Sequence, residues 1–329
     1  MKKIFVSVAI LVLLVVAGLG WWNSQIAPVS NDSATKVVVI PKGEGISAVA
    51  ERLYSQGLIK SALAFKIYAK LNNLNGKIQA GSFKLSPSMS LKDVSDALTK
   101  GTDDVWVTLV EGWRVEEMVA RLNGELGMSS NSGNWKNAEF LKLAKEGYMF
   151  PDTYLFPKDA TAEFVASTMQ NTFEKRYNDD LKSKIKKQGL TETEGVILAS
   201  LVEREGRSDK VRTEVASILL KRFNIGMKLD VDATVQYAKD TQALKAGQLD
   251  KFWKPILRSD YTEIISPYNT YLNNGLPPAP ICNPSLASLQ AVADANPNTP
   301  YLYYYHDPKG NSYYSRTLEE HNENVANHR

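Results

Sequence analysis

The chain has 329 residues, 43% of them hydrophobic and 23% charged, with 39 basic against 36 acidic side chains. That length accommodates more than one sizeable core, and the ordinary composition excludes a disordered, collagenous or disulfide-stapled chain. A net charge of +3 gives no support to a nucleic-acid partner, the lone Cys282 excludes an internal disulfide, and three histidines in the last 24 residues, without a cysteine beside them, argue against a zinc enzyme.

Residues 4–22, IFVSVAILVLLVVAGLGWW, carry no charge, and Ser7 is their one polar side chain. At helical rise the run spans about 28 Å, close to the hydrocarbon thickness of a bilayer. Lys2 and Lys3 precede it and Trp21 and Trp22 close it, the order of a positive-inside helix with an aromatic belt at the far interface. A cleaved signal peptide is the alternative, because Ala17–Gly20 is rich in small residues. Against it, the apolar run exceeds a signal core of about 7–15 residues, and no clean small-x-small site precedes a polar stretch. The expectation is a cytoplasmic tip at 1–3, an uncleaved anchor at 4–22 and a polar linker at 23–35. Residues 23–329 then lie on the outer face of the cytoplasmic membrane, periplasmic or extracellular.

Lys36–Pro41 reads as a strand from its β-branched run, and Ile46, Val49, Ala50, Leu53 and Tyr54 repeat at helical spacing. A second helix is predicted over 61–72 behind a Ser61 cap, a short strand over 81–87, and a capped helix from Ser90 to Lys100 stopped by Gly101. This order predicts a small α+β module at 36–101. Residues 104–110 form a further strand and 114–122 a helix, and Gly124–Asn137 has the Gly, Asn and Ser content of a joining loop, so 102–137 is a connecting region. From 138 to 329 a larger, mainly helical α+β domain is predicted. Its helices fall at 138–146, 161–187, 191–205, 208–223 and 285–294, an irregular stretch runs over 253–284, and a hairpin turns around Asp307–Gly310.

The carboxylates of interest lie in Leu198-Ala-Ser-Leu-Val-Glu203-Arg-Glu205-Gly206, on a helix opened by the capping pattern of Thr191 and Glu194. Residues i and i+2 diverge by about 200° on a helix, so Glu203 and Glu205 cannot share one pocket. Glu205 continues the stripe of Leu198, Leu201 and Val202 and sits at the helix C-terminus, where the dipole disfavours negative charge. Apolar walls and an adverse dipole raise a carboxyl pKa, as a general acid near neutral pH requires. Glu203 falls on the side of Ala199 and Ser200, where an ion pair or a backbone contact is easier. The alternative is that both glutamates are solvated at a helix end.

In the Pro-rich stretch 266–280, Tyr268, Asn269 and Tyr271 offer the amide and ring faces that suit a sugar, or pack as an ordinary connector. Asp230, Asp232 and Thr234 are pocket residues or loop caps. The aromatic stretch 148–157 reads as core. No phosphate loop, dinucleotide fingerprint, serine-hydrolase elbow or zincin helix occurs.

Six stretches in order resemble the YceG-like (MltG) endolytic murein transglycosylases. They are EGWRVEE (111–117), GYMFPDTYLFP (147–157), LASLVERE (198–205), ILLKRFNIGMKLDVDATVQY (218–237), SPYNTYLNNGLPPAPICNP (266–284) and YLYYYHDPKGNSYYSRTLEEHN (301–322). The single anchor and a LysM-like module beginning VVVIPKGEGISAVAERL (37–53) fit the same family. The resemblance implies cleavage of the MurNAc–GlcNAc β-1,4 bond inside nascent peptidoglycan strands, leaving a 1,6-anhydro-MurNAc end, with no metal or cofactor. Partners would be the glycan strand, the membrane and the wall-synthesis machinery. The second glutamate of the family's E-[KR]-E motif falls on Glu205, implying that it acts as acid and then base. Supporting or substrate-binding candidates are Glu203, Asp232, Thr234, Tyr268, Asn269, Tyr271, Asp152 and Glu111. The chain departs from the pattern at Ala233, at Ala279 and at Asn311-Ser312, where a Gly-His is common. Its tail ends soon after His321, so a longer C-terminal helix is not expected.

Overall fold

Short β-branched runs and well-capped amphipathic segments set the elements. The computed structural model describes residues 2–41, 43–102, 104–127, 136–158 and 160–329, with the side chains of 2–9 outside the description. The chain divides into two compact units, Met1–Trp106 with Leu155–Lys158 and Val107–Tyr154 with Asp159–Arg329.

The first unit contains α1 (Lys2–Ile26), β1 (Lys36–Ile40), α2 (Ile46–Ser55), α3 (Ala62–Leu71), β2 (Gly81–Leu85) and α4 (Leu91–Lys100). β1 and β2 pair antiparallel with Val38 opposite Phe83, and Val38 and Ile40 point inward while Val37 and Val39 are exposed. Ser61 caps α3 by accepting from the amide of Ala64, and Ser90 and Asp93 form a reciprocal capping box on α4. The helices bring Val49, Leu53, Phe65, Val94 and Leu98 onto the buried side of the sheet. Gly81 is required by close approach, since a Cβ there would collide with the Thr102 side chain.

In α1, Ile10, Leu11, Leu13 and Leu14 are all more than half exposed. Among the described residues no helix is long and apolar enough to cross a membrane. The first six side chains of the predicted anchor, residues 4–9, lie outside that description.

Elsewhere, β3 (Val105–Thr108) pairs with β4 (Thr153–Phe156). The second unit adds α5 (Val115–Leu122), a π turn (Asn123–Gly127), α6 (Asn137–Leu143), α7 (Ala162–Arg176), α8 (Asp179–Lys187), α9 (Glu192–Glu205), α10 (Asp209–Asn224) and α11 (Asp232–Lys245). The one-turn α12 (Asp260–Glu263), α13 (Leu286–Ala293), the antiparallel hairpin of β5 (Tyr303–His306) and β6 (Ser312–Ser315), and α14 (Leu318–His328) complete it. α9 lies at its centre, packed by α8, α10, α11 and α13. The close approach of α8 requires Gly195, where a Cβ would meet Ile185 at 2.5 Å.

Several expectations need correction. The stretch 161–187 is two helices, because the Asn178 side chain accepts from the amide of Leu181 and opens a new one. The predicted joining loop begins as a π turn, and its residues 128–135 lie outside those described. α11 was not predicted; it starts after Asp230, whose backbone is left-handed at φ 50°, and no side chain caps it. α14 was likewise not among the predicted helices; Thr317 opens it by accepting from the amide of Glu320.

Candidate active site

The first turn of α9 is fixed by its capping box, in which Thr191 Oγ1 accepts from the Glu194 amide and Glu194 Oε2 accepts from the Thr191 amide. Gly195–Val202 are then all buried, so the helix is a core rod whose register is set by packing. Its last residue, Glu205, emerges at a cavity of about 530 Å³. Five other segments wall that cavity: Arg222 from α10, Asp230 and Asp232 at the start of α11, Tyr261 and Tyr271 from the irregular stretch, Tyr304 and His306 from the hairpin, and Leu318 and His321 from α14.

Burial and the negative charge of Asp232 push the Glu205 carboxyl from its ordinary 4.5 up to about 7. A hydrogen bond from the Tyr304 hydroxyl and the nearby Arg204 guanidinium act in the opposite sense. At neutral pH the group is therefore held between its acid and its base form, the condition for donating a proton and taking one back. Asp232 is itself held in place, since the Tyr271 hydroxyl donates to its Oδ1 at 2.6 Å and Tyr261 also bonds it. Arg222 is buried, donates to the carbonyls of Leu302 at 2.6 Å and Leu229 at 2.8 Å, and lies 3.7 Å from Asp230. It thereby ties the hairpin to the segment that delivers Asp230 and Asp232.

Of the residues predicted from sequence, the cavity gathers Glu205, Asp230, Asp232 and Tyr271. The others have structural partners. Glu203, with a side chain 5% exposed, accepts from the Ser285 amide at 2.8 Å and hydroxyl at 2.6 Å and lies 3.7 Å from Arg212. It holds the N-terminus of α13. The expected solvated alternative for this glutamate is therefore incorrect, and Ala199 and Ser200, on its side of α9, are as buried as the opposite stripe.

Asn269 is not a forward-facing amide. It is fully buried, donates to the carbonyls of Tyr261 and Ile264, and accepts from the Tyr271 amide, which makes it the brace of its own loop. Tyr268 packs on Tyr237 with ring centroids 4.8 Å apart. Thr234 is buried, its hydroxyl 2.9 Å from that of Thr270. Asp152 is paired with Arg176 at 3.6 Å, and Glu111 lies beside Glu203, Asp209 and Arg212; neither lines the cavity. Burial raises the Glu111 carboxyl, with Glu203 adding to the effect.

Arg222, Tyr261, Tyr304, His306 and His321 line the same cavity, and reasoning from sequence did not single them out. The one available signal was the density of tyrosine and histidine over 301–322. Among the described residues no cluster of three or more His, Cys, Asp or Glu side chains is placed to hold a metal ion.

The chain is similar to known proteins over most of its length. The model of the YceG-like family matches residues 38–327. An endolytic murein transglycosylase of Bacillus subtilis (strain 168) is 32% identical over 91% of this chain and 87% of that protein. An endolytic murein transglycosylase of Streptococcus pneumoniae serotype 2 is 29% identical over 99% of this chain, which spans 65% of that longer protein. The crystal structure of a yceG-like protein from Listeria monocytogenes superposes with a TM-score of 0.56 at 28% identity, covering 89% of this chain and 99% of that one. On the extent of the family match and the Bacillus relative, the chain belongs to the YceG-like family.

Proposed function

We propose that the protein is a membrane-anchored endolytic murein transglycosylase that cuts MurNAc–GlcNAc β-1,4 bonds in nascent glycan and so ends strand elongation. The observation that carries this reading is Glu205, a carboxyl held near pH 7 at the wall of a tyrosine-rich cavity. The names of the Bacillus and Streptococcus relatives supply the substrate class.

Glu205, protonated, gives its proton to the glycosidic oxygen as the C1–O bond breaks. As carboxylate it then takes the proton from the C6 hydroxyl of the same MurNAc, whose oxygen bonds to C1. Protons balance and Glu205 is regenerated, so one carboxyl serves both steps. The nucleophile belongs to the substrate, which removes the need to position a water. Asp232 and Arg204 set the local field, and Tyr271 and Tyr261 fix Asp232.

The exposed apolar surface of α1 from Ile10 to Leu19 supports an anchor at 4–22, which would place residues 36–101, as a LysM-like module, and 138–329, as the catalytic domain, at the outer face of the membrane. The wall-synthesis machinery is the expected neighbour there. Digestion of uncrosslinked glycan, read by mass spectrometry, tests the chemistry: products should be one water lighter than hydrolytic ones. Reducing ends of full mass would instead assign a hydrolysing muramidase using Asp230 or Asp232 to activate water. Glu205→Gln should lower cleavage by at least about a thousand-fold, as expected when one group is both acid and base. Equal behaviour of mutant and wild type would leave a non-catalytic glycan-binding scaffold.

A further inference from the structure

His306 is the last residue of β5 and faces Ser312 directly across the hairpin. Its Nδ1 lies 2.9 Å from the Ser312 hydroxyl, which fixes the ring. Its other nitrogen, Nε2, is buried at the cavity wall and has no hydrogen-bond partner among the described residues. Buried polar atoms are almost always paired, so an orphan nitrogen beside an open cavity marks a bond that a ligand completes.

The hairpin also sets where that ligand lies. Alternate residues of a strand share a face, and Tyr304, two residues before His306, donates to Glu205. The rings of Tyr304 and His306 are 5.4 Å apart. His306 therefore stands one step along the strand from the tyrosine that touches the carboxyl, within reach of a substituent on the same sugar or the next. Burial and the adjacent Arg207 guanidinium both hold the imidazole below its ordinary 6.5, so it is neutral at pH 7. A neutral imidazole suits an uncharged partner, a sugar hydroxyl or an acetamido group, rather than a carboxylate.

We infer that His306 is a substrate-binding residue of the cleft, whose Nε2 hydrogen-bonds a hydroxyl or acetamido group of the glycan while Ser312 holds Nδ1. The inference rests on the glycan reading of the cavity and extends it to a second contact.

Two amide replacements separate the roles of the nitrogens, since Gln places its terminal group near Nε2 and Asn near Nδ1. Full-length Glu205→Gln protein in detergent is titrated with uncrosslinked glycan strands, alone and with His306→Ala, His306→Gln or His306→Asn added. Binding should weaken about ten-fold or more with Ala and with Asn, and stay within about three-fold with Gln, the range expected for one hydrogen bond to a substrate. The same order should hold for kcat/KM on the Glu205 background, with melting temperatures compared across the series.

Rescue by Asn and not by Gln would assign the ring to the Ser312 contact alone and overturn the inference. So would an Ala variant that binds as tightly as its parent, or a parent that binds no glycan. Should His306→Ala fail to fold, the Gln and Asn variants still decide. Products lacking anhydro ends with the variant order kept would sink the proposed reaction and leave this site standing. Anhydro products with no effect of any variant would do the reverse.

Discussion

Glu205 has two neighbours that pull its proton affinity in opposite directions, and each can be removed without touching the carboxyl. The charge of Asp232 raises its pKa and the hydroxyl of Tyr304 lowers it. In the proposed reaction the protonated form acts first, so activity should fall as pH rises through about 7, the value to which the carboxyl is pushed up. Asp232→Asn should move that alkaline limb to lower pH, and Tyr304→Phe should move it to higher pH. Rate profiles of the two variants on uncrosslinked glycan check this, and shifts of the same sign would refute the electrostatic account.

Stability carries the same signature. A carboxyl whose folded pKa lies above its unfolded value binds the extra proton only in the native state. The stabilisation is fully present below about 4.5 and lost as pH rises through about 7. Glu205→Gln should therefore melt higher than wild type at pH 8 and no higher at pH 4. Thermal scans at the two values read the difference directly.

At the scale of elements, the loop 266–280 and the start of α13 owe their shape to side chains that resemble site residues in the sequence. Asn269 makes one side-chain bond inside the loop, to the Tyr271 amide, and two back to the carbonyls of Tyr261 and Ile264 at α12. Asn269→Ala should cost about 2–4 kcal/mol of stability, the loss of a buried, fully bonded amide. Its effect on the reaction should come through misplacement of Tyr271. Glu203→Gln keeps an acceptor for Ser285 but loses the charge, a change of about 1–2 kcal/mol. Cleavage by that variant should stay within about ten-fold of wild type, against near-complete loss for Glu205→Gln; equal losses in two folded proteins would refute the division of roles.

These elements also show where sequence is legible. Thr191 with Glu194, Ser90 with Asp93 and Ser61 announce their helices because a cap is a local bond between near neighbours. α11 has no side-chain cap and follows a left-handed Asp230, at a turn held by contacts distant in sequence, such as the Thr270 hydroxyl that accepts from the Val231 amide at 3.0 Å. The same distinction separates Glu203 from Glu205. Helical periodicity places them on different sides of α9, but which side meets a cavity depends on Ser285, Asp232 and Tyr304, each far along the chain. Asn269 and Tyr271 have sugar-binding chemistry equally well; only the turn of the loop sends one inward and the other to the wall.

For the whole molecule, the proposed anchor would bear on which strands are cut. α1 continues to Ile26, beyond the predicted end of the anchor, and Ile26 packs against the core of the first unit. An anchor that enters a folded unit with little slack would keep the enzyme near the membrane surface, where new glycan is made. Full-length protein should then stay in the membrane pellet through high salt and alkaline carbonate, and its mature N-terminus should be the encoded one. Removal of residues 1–22 should release it to the soluble fraction while leaving cleavage of isolated, uncrosslinked strands within about three-fold, because among the described residues none that lines the Glu205 cavity comes from that segment. In cells, the released form should lose its preference for newly made strands, which pulse-labelled wall precursor would reveal as an altered length distribution of the label. A mature N-terminus beginning after Gly20 would identify a cleaved signal instead. Confinement to nascent glycan would then have to come from a partner rather than from the chain's own helix.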